Sequence, residues 1–263
     1  MRLGFIGAGN MAQAMIGGIL AKEIVKKEDI IASAATQNTI DKVAKEFGIN
    51  VTLDNREVAK ADIVFLAVKP FYYEEVIDGI KEVVDEKQLI ISVAAGKSVE
   101  WVENAFGGKK KIVRIMPNTP ALVGEAVTAI CPNANITDGE KQEIVELIAS
   151  FGLAQIVSEK IMDAVIAVSG SSPAYVFMFI EAMADAAVAE GMPRVQAYQF
   201  AAQSVLGSAK MVLETGKHPG ELKDMVCSPS GTTIEAVKVL EEKGFRSSII
   251  EAMSACADKS RNM

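Results

Sequence analysis

The sequence predicts an α/β protein in two parts, an N-terminal doubly wound sheet over residues 1–160 and an all-α C-terminal domain over residues 161–263. Three observations carry this reading. A short apolar strand near the N-terminus runs straight into a glycine-rich turn and a helix. Strand-length apolar runs then alternate with helical stretches up to residue 160. Beyond that point strand signals cease and the hydrophobic period becomes 3.6. With 263 residues, half of them hydrophobic, the chain exceeds a typical domain of roughly 100–200 residues and can bury a sizeable core.

The first element is the most informative. Leu3, Phe5 and Ile6 read as a buried strand, followed by Gly7-Ala8-Gly9-Asn10-Met11-Ala12 and the helix-period residues Met15, Ile16, Ile19 and Leu20. This is the G-x-G-x-x-G/A dinucleotide fingerprint, lying between a strand and a helix as it must. Gly7 permits the tight turn, Gly9 lets the backbone approach a pyrophosphate, and Ala12 keeps the helix close to the sheet. The helix start offers unpaired N–H groups and positive dipole to phosphates. A tight turn in an ordinary α/β protein is the plainer alternative, and the flanking elements favour the cofactor.

Residues 29–35 form the next strand and 39–47 a helix. Residues 62–68 are a near-continuous apolar run, as expected of a strand covered on both faces. A helix over 73–84, a strand over 89–93, a helix over 98–106 and strands over 112–115 and 127–130 follow. Thr137 and Glu140 make a capping box at the start of a helix running to 151, and Ile156-Val157 ends the series. Repeated β-α units of this kind predict a parallel, Rossmann-type sheet.

Helices are then indicated at about 160–168, 174–190, 194–214, 219–226, 232–243 and 246–259, separated by Gly- and Pro-rich breakers. Residues 164–180 carry no charge over 17 positions, near the length of a membrane span. Ser169-Gly170-Ser171-Ser172-Pro173 is expected to interrupt a helix there, so buried helical structure is the better reading. The helix over 174–190 is apolar nearly all round, with Val176, Phe177, Met178, Phe179, Ile180, Met183 and Val188, and so must be enclosed. A second subunit is the economical enclosure, and the centre of a monomeric bundle is the alternative.

The net charge of −7 gives no electrostatic footprint for nucleic acid or an anionic membrane. Cys131, Cys227 and Cys256 are odd in number, widely spaced and without a C-x-x-C, which suggests free thiols in a reducing compartment and no metal site. With the first strand starting at residue 2, no room is left for a signal peptide, and a cytoplasmic location is expected.

Candidate site residues fall in two groups. About 20 residues past the fingerprint, a carboxylate would hold the ribose 2′-OH of NAD. Residues 33–38 read Ser33-Ala34-Ala35-Thr36-Gln37-Asn38, without Asp or Glu, so NADPH is expected as cofactor, with NADH as the weaker alternative. Ala67-Val68-Lys69-Pro70 and Ala94-Ala95-Gly96 follow apolar strands at the carboxyl edge, where a nicotinamide could lie against small residues; ordinary strand-exit turns are the plain alternative.

The second group is Ser228-Pro229-Ser230-Gly231-Thr232-Thr233-Ile234-Glu235. Thr232 and Glu235 are expected to form a capping box, with Gly231 and the hydroxyls of Ser230, Thr232 and Thr233 converging on an anion site for a carboxylate or phosphate. A capped helix without a ligand is the plain alternative. His218, the single histidine, reads as a helix cap or surface residue.

Together these motifs make the chain resemble the pyrroline-5-carboxylate reductase family over nearly its whole length. The carrying stretches are Phe5-Ile6-Gly7-Ala8-Gly9-Asn10-Met11, Leu66-Ala67-Val68-Lys69-Pro70, Arg114-Ile115-Met116-Pro117-Asn118-Thr119-Pro120, Ser169-Gly170-Ser171-Ser172-Pro173-Ala174-Tyr175, His218-Pro219-Gly220-Glu221-Leu222-Lys223-Asp224 and Ser228-Pro229-Ser230-Gly231-Thr232-Thr233. The resemblance implies NAD(P)H-dependent reduction of 1-pyrroline-5-carboxylate to L-proline by hydride transfer. It also implies a homodimer built on the helical domain, with dimers gathered into rings up to a decamer. Carried over by position, Ile6, Gly7, Ala8, Gly9, Asn10, Met11, Ser33, Asn55, Ala67, Val68, Lys69, Pro70, Ala94, Ala95 and Gly96 would hold the cofactor, with Glu159 contributing from the domain junction. Ser230, Gly231, Thr232 and Thr233 would hold the substrate carboxylate, with Thr233 as the catalytic residue near the ring nitrogen.

Ser172 and Ser230 stand where the family usually has Gly, in turns where a positive φ is expected to cost Ser more. Two other readings compete. A β-hydroxyacid-dehydrogenase-type reductase would need a lysine on the interdomain helix, where residues 160–190 offer only Lys160. A dinucleotide-sensing module would leave residues 228–233 without a purpose.

Overall fold

The structure, a computed structural model, describes residues 1–262. It divides into two compact units, Met1–Ser171 together with the chain from Cys256 onward, and Ser172–Ala255. The first unit holds strands β1 (Leu3–Ile6), β2 (Ile30–Ser33), β3 (Asn50–Thr52), β4 (Ile63–Leu66), β5 (Leu89–Ser92), β6 (Lys111–Met116), β7 (Ala126–Pro132) and β8 (Gly152–Ile156). Its helices are α1 (Asn10–Ala21), α2 (Gln37–Phe47), α3 (Asn55–Val58), α4 (Tyr73–Ile80), α5 (Val99–Ala105), α6 (Asp138–Ile148) and α7 (Met162–Val165). The sheet order is β3-β2-β1-β4-β5-β6-β7-β8.

Strands β1, β4 and β5 are buried along their whole length, because helices cover both faces of a parallel sheet. On one face Phe5 stacks on Phe65, ring centroids 4.4 Å apart, against Met15, Ile16 and Ile19 of α1. On the other, Ile6, Val64 and Leu66 meet Tyr73, Ile77 and Ile80 of α4 and Val102 of α5. The capping box of Thr137 and Glu140 forms at α6 as expected.

The sheet differs from the expected parallel sheet by one added strand and one antiparallel pair. Strand β3, absent from the sequence reading, pairs parallel with β2 at the sheet edge. Strand β7 runs antiparallel to β6. The link between them carries only a 3₁₀ turn over Thr119–Val123, too short for the crossover of a dozen or more residues that parallel pairing requires. Strand β8 then pairs parallel with β7 after α6 provides a crossover.

The expected helix interruption at residues 169–173 takes the form of a π turn over Ile166–Gly170 and a bend at Ser171, without ending the run. Glu159–Ala189 is one helical run of 31 residues, long and apolar enough to cross a membrane by length and composition. Pro173 is accommodated in two ways. A π turn over Ile166–Gly170 lets the Ser171 N–H donate to the Ile166 carbonyl at 2.8 Å. The Ser169 carbonyl, which the proline cannot reach with an N–H, accepts instead from the buried Asn118 amide at 2.9 Å. Asn118 in turn accepts the Val127 N–H at 3.0 Å. Ser260 donates to Asp163 at 2.6 Å and the Cys256 thiol to Ser171 at 3.2 Å. These bonds carry the first unit to Ser171 and take in the chain end, past the change of pattern at 160/161.

The second unit comprises α8 (Ser172–Ala189), α9 (Arg194–Thr215), α10 (Pro219–Val226), α11 (Thr232–Glu242) and the start of α12 (Phe245–Arg261). Helix α8 is not enclosed by its own chain: Phe177 is 63% and Met178 69% exposed, and Ala184 is its one buried residue. That removes the monomeric-bundle alternative and leaves enclosure by a second subunit, as expected.

Candidate active site

The sheet order reverses between β1 and β4, and open α/β sheets bind ligands at the carboxyl ends of their strands at such a point. The chain leaving β1 turns at Gly7, whose φ is +96°. A Cβ there would lie 2.8 Å from the Ala67 carbonyl group, so both conformation and space demand glycine. The Gly7 N–H donates to the Ser33 carbonyl at 3.1 Å, and the Ala67 N–H to the Ile6 carbonyl at 2.8 Å. The ends of β1, β2 and β4 thus meet at one glycine.

Gly9 is the N-cap of α1. No side chain caps this helix start, no acidic residue lies in its first turn, and a Cβ on Gly9 would meet nothing within 4 Å. The first-turn N–H groups of Asn10, Met11 and Ala12 therefore have no side-chain cap, an arrangement that fits a dinucleotide pyrophosphate. Ala8 is buried beneath the turn and donates no side chain.

The end of β2 departs from expectation. Ser33 is fully buried, and its hydroxyl donates to the Asn55 side chain at 2.7 Å, so these two residues bond each other beneath the surface. Thr36 caps α2, and Gln37 donates to Asp41 at 2.7 Å. A 2′-phosphate would find its donors in the exposed N-terminal backbone of α2 more than in the hydroxyl of Ser33.

Ala67, Val68, Lys69 and Pro70 leave β4 into a short 3₁₀ turn, with Lys69 exposed. Ala94, Ala95 and Gly96 leave β5, with Gly96 at φ +74°. Glu159 is held by two neighbours within the first unit. Its Oε1 accepts from Arg114 Nη1 at 2.8 Å and from the Val99 N–H at 2.9 Å, bracing the start of α5 just after residues 94–96. One oxygen of this carboxylate thus joins the buried Arg114 to the start of α5.

Two side chains at this edge stand outside the expected site residues. Arg114 is buried in β6 behind Glu159. Tyr73, the first residue of α4, is fully buried, and burial pushes its phenol up to about 12 although hydrogen bonds from Ser92 and Val93 oppose the shift. Its helical spacing with Ile77 and Ile80 makes it look like core packing in the sequence.

In the second unit, the Gly231 N–H donates to the Ser228 carbonyl at 3.1 Å, closing a four-residue turn with Pro229 second and Ser230 third. Ser230 sits at φ +55°, the place where such a turn normally has glycine. Ser172, by contrast, is the first residue of α8 and has no positive φ, so the expected strain there is absent. The expected capping box of Thr232 and Glu235 does not form. The N-cap is Gly231, with extended backbone, and Thr232 is already helical. No side chain caps α11, so its first N–H groups stand free for an anion beside the hydroxyls of Ser230, Thr232 and Thr233. A Cβ on Gly231 would lie 2.4 Å from the rotatable Ser228 Oγ and 3.2 Å from the Ser228 carbonyl oxygen, a tight fit within its own turn. His218 caps α10, its Nδ1 accepting the Gly220 N–H at 3.1 Å.

A family model for pyrroline-5-carboxylate reductase dimerisation matches residues 159–263, and one for NADP oxidoreductases, coenzyme F420-dependent, matches residues 2–96. The pyrroline-5-carboxylate reductase of Escherichia coli (strain K12) is 51% identical over 263 residues, covering 100% of this chain and 98% of that protein. The chain belongs to the pyrroline-5-carboxylate reductase family. The family's Methanosarcina acetivorans member is 43% identical over 100% of this chain and 97% of its own length. A solved Plasmodium falciparum pyrroline carboxylate reductase with NADP bound superposes with a TM-score of 0.91 at 34% identity, covering 100% of this chain and 97% of that one. These full-length matches decide against a β-hydroxyacid-dehydrogenase-type reductase.

Proposed function

We propose that this chain reduces 1-pyrroline-5-carboxylate to L-proline with NADPH, the last step of proline biosynthesis. The observation that carries this is the uncapped start of α1 behind Gly7 and Gly9, in a chain matched end to end by reductases of that name. The sensing-module alternative leaves a second uncapped helix start, that of α11, without a ligand.

The chemistry that NADPH supplies when bound is a hydride, delivered to the imine carbon of the ring. The protein's task is to orient and to exclude competing poses. The α1 start holds the pyrophosphate, and residues 67–70 and 94–96 offer small side chains against which a nicotinamide ring can lie flat. The turn at Ser230 and Gly231 and the first N–H groups of α11 hold the substrate carboxylate. The Thr233 hydroxyl, half-buried in the first turn, orients the ring nitrogen by a hydrogen bond, while the imine proton arrives with the substrate or through water.

The exposed apolar face of α8 is covered by a second copy of this chain, and dimers can gather into larger rings. The net charge argues against nucleic acid and anionic membranes as partners. Three cysteines without disulfide partners accord with the cytoplasm. The test is to mix the protein with pyrroline-5-carboxylate and follow NADPH absorbance while assaying proline. Consumption of NADPH with one proline formed per cofactor oxidised is expected, faster than with NADH. Tight NADPH binding with no turnover would favour the sensing module.

A further inference from the structure

We propose that the Tyr73 hydroxyl is a positioning group for the nicotinamide half of the cofactor, locking the loops that leave β4 and β5 into one geometry. This rests on the reading that residues 67–70 and 94–96 line the cofactor site.

Strands β4 and β5 pair in parallel as far as Leu66 and Ser92. Beyond them the strands part, and the next rung, from the Val93 N–H to the Leu66 carbonyl, has stretched to 3.4 Å. The Tyr73 phenol enters this opening. It donates to the Leu66 carbonyl at 2.5 Å and accepts from the Val93 N–H at 3.1 Å and from the Ser92 hydroxyl at 3.2 Å.

Two consequences follow from this geometry. The bond from Tyr73 to Leu66 closes the intervening residues, 67–72, into a loop fastened at both ends. The bond from Val93 hangs the start of the second loop from the same oxygen. The phenol is protonated at neutral pH even at its ordinary value and burial pushes it further up, so the donor to Leu66 persists across the physiological range. A phenylalanine would fill the same space but leave the Leu66 carbonyl and Val93 N–H with only their stretched mutual contact.

The test uses full-length Tyr73→Phe. NADPH should bind about tenfold more weakly, with KM for NADPH rising in parallel and kcat within about twofold of the unaltered protein. Adenosine 2′,5′-bisphosphate, which lacks the nicotinamide half, should bind within about twofold of its original affinity. Unchanged NADPH affinity overturns the proposal, as does an equal loss of adenosine bisphosphate binding, which would mark general damage. Hydrogen exchange on the unaltered protein separates this failure from failure of the site reading. NADPH should protect residues 67–70 and 94–96. If it does not, the site reading falls and the proposal with it; if it does and Tyr73→Phe binds NADPH normally, the proposal alone falls.

Discussion

In the sheet unit, whole strands and the faces of α1 and α4 are buried, and aromatic rings stack inside. In the helical unit the buried apolar side chains are three alanines, Ala184, Ala197 and Ala201, where α8 meets α9. Phe177, Met178, Phe200, Leu206 and Leu213 lie on its exposed surface. The first unit closes its own core. The second has apolar area of the kind that drives folding and association, and leaves it in water. Covering that area requires another chain, which explains how one polypeptide can hold a complete dinucleotide fold and still depend on a second copy.

The strongest way to break this comparison is Phe177→Asp. At a position 63% exposed within one chain, a charge should cost a monomer little, within about 0.5 kcal/mol. In a dimer it should abolish association and lower activity more than about a hundredfold, read by light scattering and NADPH oxidation. Gly7→Ala attacks the other unit. Its φ of +96° and the 2.8 Å approach to Ala67 should weaken NADPH binding at least about tenfold while the dimer persists, which titration and light scattering would show.

Thr233→Ala sharpens the division of labour. It should lower kcat roughly tenfold to a hundredfold with NADPH affinity unchanged, and Thr233→Ser should be milder. The smallest effect is expected from Ser230→Gly, which relieves a positive φ of 55° and should raise stability by about 0.5–1 kcal/mol, visible as a higher Tm.

How much was legible in the sequence follows the same line between units. Gly7 and Gly9 could be read because a fingerprint is local, needing only a strand before it and a helix after. Strand β3 could not, since Asn50–Thr52 is three residues at a sheet edge with no alternation to detect. The direction of β7 depended on the length of a connection, information present in the chain but masked by the repeating pattern before it. The interruption before Pro173 stays within one helical run because the amide of Asn118, more than fifty residues away, serves the carbonyl the proline abandons. Ser33 shows the same limit at the site. Residue type reveals a hydroxyl, but only the fold reveals that Asn55 takes it. Thr232 fell one residue inside the helix it was expected to cap, because Gly231 already has the extended backbone of an N-cap.

The most direct measurement is the solution mass of the unaltered chain at concentrations where it turns over NADPH and pyrroline-5-carboxylate. The covered-face account predicts a mass at least twice the 28.0 kDa of one chain, with activity falling as dilution drives dissociation. A particle of 28.0 kDa with full activity would contradict it.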